Sequence, residues 1–248
     1  MIISISNQKG GVGKTTTTQS LAAILQSKGH KVLLIDLDPQ SNLSTALNAN
    51  NSLMTIYEVM KSECSISDAI QVTSGGDIVP SSMLLSVADM EFTKLGREQM
   101  LKEALESVKV KYDYIVIDTP PALSVLTLNA FTASDKLIIP MEADMFSLQG
   151  LAQLNTTVQQ VIKYSNKHLI IAGVLLTKHN PRTNLSRDVT TAISQSVTQL
   201  NTKLFNTYIR NGVSIREAQI SQANIMDYSP SANAQSDYLR FVDEFLAG

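Results

Sequence analysis

Cysteine occurs once in the 248 residues, as Cys64. One thiol can neither close an intramolecular disulfide nor hold a thiolate-ligated cluster within one chain, so the composition suits a reducing compartment. The N-terminus, MIISIS, lacks the basic region and apolar core of a secretory leader. No run approaches the ~18 unbroken apolar residues of a membrane helix. Neither export nor a membrane span is expected, and cytoplasm is the expected location. Also missing are linkers, low-complexity tracts and internal repeats, which points to one domain over residues 1–248. The three histidines, His30, His168 and His179, show no metal-ligand spacing.

What is present is a hydrophobic content of 44%, enough for a sizeable core. Short Ile- and Val-rich runs recur at 2–6, 31–36, 77–80, 114–118, 136–140 and 169–177, with helical patterns between them. Such near-continuous apolar strands suit a parallel sheet covered on both faces. The expected fold is therefore α/β, a three-layer, doubly wound and mostly parallel sheet. After Gln149, Leu151, Leu154, Val158 and Val161 recur at helical spacing and mark one buried face. The Ser- and Asn-rich stretch 41–76 gives no clear pattern.

Charge is near balance overall, at −2, but unevenly spread. Between Lys178 and Glu217 six basic residues (Lys178, Arg182, Arg187, Lys203, Arg210, Arg216) face two acidic ones, a local +4 against −6 elsewhere. That asymmetry predicts a basic face on an acidic protein, although a solvated surface is the commoner cause of such a cluster.

The segment NQKGGVGKTT, Asn7 to Thr16, carries the most chemistry. A strand, a glycine-rich turn and a helix beginning near Thr15 follow in the order of a phosphate-binding loop. Gly10, Gly11 and Gly13 let the backbone approach phosphate oxygens, and the helix start points N–H groups at the anion. Lys14 supplies a point charge for the β- and γ-phosphates, and the Thr15 hydroxyl is placed for Mg²⁺. The usual pattern, G-x-x-x-x-G-K-[ST], fails at one place: its first glycine is Gln8, and an extra lysine, Lys9, follows. Two further strands end on carboxylates. YIVIDTPP ends on Asp118, where P-loop proteins hold Mg²⁺. VLLIDLDPQ ends on Asp36, with Asp38 two residues on; Pro39 should start a loop there and free Asp38 to approach the γ-phosphate and orient water. For Asp36 alone, a turn or cap role is an equal alternative.

KGGVGKTT at 9–16, VLLIDLDPQSN at 32–42, YDYIVIDTPP at 112–121 and IRNGVSIREAQ at 209–219 resemble the ParA-type (Soj-like) partition ATPases of the deviant Walker A P-loop group. The resemblance runs through most of the chain. It implies that ATP is bound by Lys9, Gly10, Gly11, Val12, Gly13, Lys14, Thr15 and Thr16, with Mg²⁺ near Thr15, Asp36 and Asp118. It implies that Lys9 reaches across a nucleotide-sandwich homodimer to the partner's phosphates, that Asp38 positions the hydrolytic water, and that adenine lies near Thr177 to Pro181, including Lys178, and Arg210 to Val213. Non-specific double-stranded DNA binding by the ATP dimer, through basic residues of 178–216, follows from the same likeness. So do a ParB-type centromere-binding partner, which stimulates slow hydrolysis together with DNA, and a place on the nucleoid. One departure is that Val213 and Ser214 stand where the family commonly has a basic residue, while Arg216 comes later.

Related classes fit less well. A MinD-type membrane helix should be basic, whereas the tail SDYLRFVDEFLAG carries Asp237, Asp243 and Glu244 against Arg240, so its stripe of Tyr238, Phe241, Val242 and Phe245 is expected in the core. An iron protein needs cysteines this chain lacks. A metabolic P-loop enzyme of the dethiobiotin-synthetase kind needs an acceptor pocket for which no motif is found. A protein cargo in place of a replicon is a nearer alternative that gene neighbourhood would decide. The first strand begins at Met1 or Ile2, so no helix-turn-helix precedes it within these residues and operator binding is not expected.

Overall fold

The computed structural model describes the whole chain except residues 182–183, 201, 222, 224 and 229–232; at 145–146, 184–187, 199, 216, 219–220 and 227 it describes the backbone alone. The elements run β1 (Ile2–Ile5), α1 (Lys14–Ser27), β2 (Val32–Asp36), α2 (Asn42–Ala46), α3 (Ile56–Met60), α4 (Ile66–Ala69), β3 (Gln71–Thr73), β4 (Gly76–Val79), α5 (Ala88–Glu91), α6 (Met100–Leu105), β5 (Tyr114–Asp118), α7 (Val125–Ala133), β6 (Lys136–Met141), α8 (Met145–Tyr164), β7 (Ile170–Leu176), α9 (Asn184–Gln199), α10 (Val213–Ile220), α11 (Ile225–Tyr228) and α12 (Asn233–Ala247).

The strands form one sheet in the order β3-β4-β2-β5-β1-β6-β7. All neighbours are parallel except β3, which pairs antiparallel with β4 at the edge. Alternate residues of a strand point to opposite faces, and here both faces are dry. Leu33, Ile35, Ile115 and Ile117 join one core with Ile56, Leu101, Leu126, Leu151 and Val189 from the helices on that side. Val32, Leu34, Val116, Ile3 and Ile5 join the other, under Leu21 and Ile24 of α1 and Phe241 and Phe245 of α12. The result is the expected three-layer sandwich.

Two regions differ from the sequence expectation. Residues 41–76 hold three short helices and the edge strand β3; α3 and α4 start at Thr55 and Ser65, whose hydroxyls and the following Glu58 and Asp68 form reciprocal capping boxes. Helix α8 starts at Met145, ahead of Gln149, because Asp144 caps it through the Ser147 N–H. The tail behaves as the sequence predicts: Tyr238, Phe241, Val242 and Phe245 are buried.

Candidate nucleotide site

Strands β1, β2 and β5 are neighbours, so the loops at their carboxyl ends meet at one edge of the sheet. This crevice is where open parallel sheets bind ligands. It holds a cavity of about 790 Å³ lined by Gly10, Gly11, Gly13, Lys14, Thr15, Thr16 and Asp38, and also by Thr177, Lys178, Ile209, Asn211, Gly212 and Tyr238.

The phosphate loop is built from backbone conformations that few residues tolerate. Gly11 and Gly13 have φ of 75° and 85°, in the left-handed region where a side chain is strained. Gly13 also packs on Thr177, whose methyl would lie 3.8 Å from a Cβ added there. The Thr177 hydroxyl donates to the Val12 carbonyl at 2.8 Å, bracing the loop against the end of β7.

The two lysines of the loop have separate places. Lys14 is buried, and its ammonium donates to the Lys9 carbonyl at 3.2 Å, inside the curve of the loop. Burial pulls its pKa down, against the opposing fields of Asp118 and Asp38. Lys9 turns outward instead. Its ammonium pairs with Asp144 at 2.6 Å, with the Lys9 side chain 43% exposed. The Lys9 N–H donates to Asn7 Oδ1, and Asn7 is itself fixed to the Pro140 carbonyl, so the stem is anchored while the head is in reach of solvent.

The carboxylates divide in a similar way. Asp36 and Asp118 are register partners on β2 and β5, and both are fully buried. Burial pushes the Asp118 carboxyl up to about 8, with the neighbouring Asp36 adding to it. Asp118 accepts from the Thr15 hydroxyl at 2.6 Å and from Thr18 at 3.3 Å. Asp36 accepts from the Ser44 N–H at 2.8 Å, the Ser44 hydroxyl at 2.7 Å and the Asp38 N–H at 3.1 Å. These bonds anchor the loop after β2, the turn role that the sequence left as an alternative. Asp38 follows where that loop bends away; its carbonyl is held by the Ser81 hydroxyl at 2.6 Å, and its side chain accepts from the Gln40 N–H.

Among the described residues no three His, Cys, Asp or Glu side chains converge on a metal position. Oxygen donors at Thr15 and Asp118 suit Mg²⁺, which keeps waters and substrate phosphates as its other ligands.

Among the described residues of the basic segment, Lys178, Lys203 and Arg210 each meet a different partner. Lys178, at φ 50°, pairs with Glu142 at 2.9 Å. Lys203 lies over the Phe205 ring, 5.2 Å from its centroid. Arg210 is clamped by the buried Asp237 at 2.7 Å. Pro181 is exposed, Arg182 lies outside the described residues, and Arg187 and Arg216 are helical positions whose side chains are not described. Sequence reasoning missed Asp144, Ser44, Ser81 and Asp237 as contributors; a Ser in a loop or an Asp in an amphipathic tail carries no signal of which distant group it will meet.

Residues 1–171 match the model of a family described as AAA domain. The chain is 40% identical over 251 residues to the sporulation initiation inhibitor protein Soj of Bacillus subtilis, covering 99% of this chain and 98% of that one. It is 35% identical over 253 residues to the chromosome partitioning protein ParA of Caulobacter vibrioides, covering 99% and 94%. A crystal structure described as cobyrinic acid a,c-diamide synthase of Mycobacterium smegmatis, with an ATP analogue and magnesium bound, is similar at a TM-score of 0.80 and 30% identity, covering 99% and 93%. With a braced phosphate loop, a second outward lysine and near full-length likeness to Soj and ParA, the chain belongs to the ParA/Soj family of partition ATPases.

Proposed function

We propose that residues 1–248 act as a single ATPase domain that binds ATP and Mg²⁺, dimerises face to face on ATP, and as the dimer binds DNA without sequence preference on the nucleoid, driving partition of a plasmid or chromosome with a ParB-type partner. The observation that carries this reading is the division between the two lysines. Lys14 fills the inside of the loop, so a cation at Lys9 can meet phosphate only from outside, as it would across two chains. Two triphosphates facing each other repel strongly without such cations, which makes the dimer conditional on ATP.

Within the site, the loop N–H groups and Lys14 hold the β- and γ-phosphates, while the Thr15 hydroxyl and Asp118 lie where Mg²⁺ would be held. The ion would neutralise charge on the transferring phosphoryl group. Asp36 fixes the loop that carries Asp38, and Asp38 orients the attacking water. Adenine lies against Thr177, Lys178 and the 209–212 segment, which line the same cavity. With Lys178 and Arg210 paired to acids, DNA contact falls chiefly to Arg182, Arg187, Lys203 and Arg216.

A fold shared with a protein described as a diamide synthase does not by itself separate partition from metabolic ligation. Sedimentation with ADP, ATP or a non-hydrolysable analogue, with and without non-specific DNA, tests the proposal. It predicts a monomer with ADP and a DNA-binding dimer with ATP. A monomer under every condition, with hydrolysis insensitive to DNA, would favour the metabolic class.

A further inference from the structure

The segment after Leu204 runs beside β7 as an irregular extra strand. Phe205 N–H donates to the Val174 carbonyl at 2.9 Å, Ile209 N–H to Leu176 at 2.8 Å, and His179 N–H to Ile209 at 3.0 Å. The pairing reaches as far as Arg210, which bridges His179. The Arg210 N–H points away from that neighbour and donates to Asp237, and Asn211 and Gly212, which wall the cavity, belong to no helix or strand. On the side away from β7 the wall takes a further anchor.

That anchor is Asp237, on the second turn of α12. Its carboxylate is fully buried. One oxygen accepts from both the Arg210 N–H at 3.0 Å and Arg210 Nε at 2.9 Å, and the other from Arg210 Nη2 at 2.7 Å and Arg240 Nη2 at 2.5 Å. Backbone and side chain of one residue are thus gripped by a single acid, with the planar fork of the guanidinium fixing direction as well as distance. The next residue of α12, Tyr238, lines the cavity, and its hydroxyl lies 3.2 Å from Thr17 Oγ1 on the phosphate-loop helix. Helix α12 therefore touches both the 209–212 wall and the phosphate-loop helix from adjacent positions.

We infer that Asp237 is a positioning residue for nucleotide selection: by clamping Arg210 it sets the 209–212 wall at the distance a purine base requires, while the phosphate end is built without it. The inference rests on the placement of the base given above. It also assigns Arg210 a role in shaping the wall in place of direct contact with DNA.

The two ends can be assayed apart, because inorganic tripolyphosphate engages the loop but has no base. Calorimetric titrations of ATP and of tripolyphosphate, each with magnesium, are made on the full chain and on Asp237→Ala, Asp237→Asn and Arg240→Ala. Asp237→Ala should weaken ATP by roughly tenfold or more and leave tripolyphosphate unchanged. Asp237→Asn, which keeps one acceptor oxygen, should show a smaller loss of the same kind and decides the matter if the alanine variant does not fold. Arg240→Ala, which leaves the Arg210 clamp in place, should keep the wild-type ratio. Equal losses for both ligands would make the clamp a general support of the fold and overturn the inference, as would unchanged ATP affinity. A wild-type chain that binds tripolyphosphate as tightly as ATP would overturn the base placement itself, and the inference with it.

Discussion

Replacing Lys9 with alanine separates what this side chain does at rest from what it does in a dimer. At rest it makes one ion pair, with Asp144, between side chains 43% and 31% exposed. Pairs this accessible contribute about 0–1 kcal/mol, so the thermal midpoint should fall by no more than about 2–4 °C for a chain of this size. In the dimer each Lys9 would instead make a charge-assisted bond to phosphate, of about 1.5–3 kcal/mol. Two-fold symmetry doubles the contact, and leaving Asp144 offsets part of it, so the variant should lose about 2–5 kcal/mol of dimer stability. That is a weakening of roughly 30- to 5,000-fold in the dimer dissociation constant. Sedimentation velocity over a concentration series with a non-hydrolysable ATP analogue gives that constant directly, and calorimetry on the monomer checks that ATP affinity is largely kept. A Lys9→Ala chain that dimerises on ATP as the wild type does would refute the cross-subunit role. One that simply unfolds would show that the Asp144 pair matters far more than its exposure allows.

Lys14→Ala should abolish measurable ATP binding in calorimetry, since no other ammonium lies inside the loop among the described residues. Asp38→Ala should keep ATP affinity and accumulate as an ATP-bound dimer with little phosphate release; a wild-type hydrolysis rate would remove Asp38 from the chemistry. Single alanine replacements of Arg182, Arg187 and Arg216 should each lower the slope of log affinity for DNA against log salt by about one, or about two if both subunits use the residue, and unchanged slopes in all three would place the DNA surface elsewhere. The Asp237 carboxyl is pushed up by burial, but its bonds to Arg210 and Arg240 outweigh this and hold it below the usual range. Its folded pKa thus lies below its unfolded one, and the unfolded chain binds more protons between the two. The stability it supplies is complete above about pH 4 and is lost as pH falls through the folded value. Urea unfolding from pH 6 down to pH 3 should show a steeper loss for wild type than for Asp237→Asn.

The sheet and the phosphate loop were legible because each rests on local pattern. Five-residue apolar runs such as VLLID and YIVID can be buried on both faces only in a parallel sheet, and the glycines at 11 and 13 occupy conformations that exclude most other residues. Asp118 was legible by its place at the end of such a strand. Asp36 was left between metal and turn, because its hydrogen-bond partner, Ser44, sits eight residues on in a stretch without pattern. Arg210 and Asp237 were each visible as charges, yet their partnership spans 27 residues and depends on how α12 lies across α1. The sequence pattern marked Tyr238 and Phe241 as buried but gave no sign that the acid beside them was buried too. Long-range pairing of polar groups leaves no periodic trace, so this part of the site awaited the structure.

The position of β5 has a consequence for the newborn chain. It lies between β1 and β2, hydrogen-bonded to both, although it comes much later in the chain than either. The phosphate loop and Asp36 are made well before β5, but the strands that carry them have no direct pairing with each other. Until Tyr114–Asp118 emerges, β1 and β2 each present an unpaired apolar edge, the kind of surface that recruits other chains. Closing the sheet is then a late, non-local event, which slows folding relative to a design built from neighbouring hairpins. Asp118 and the Thr15 hydroxyl it holds come together only when that central strand has been inserted.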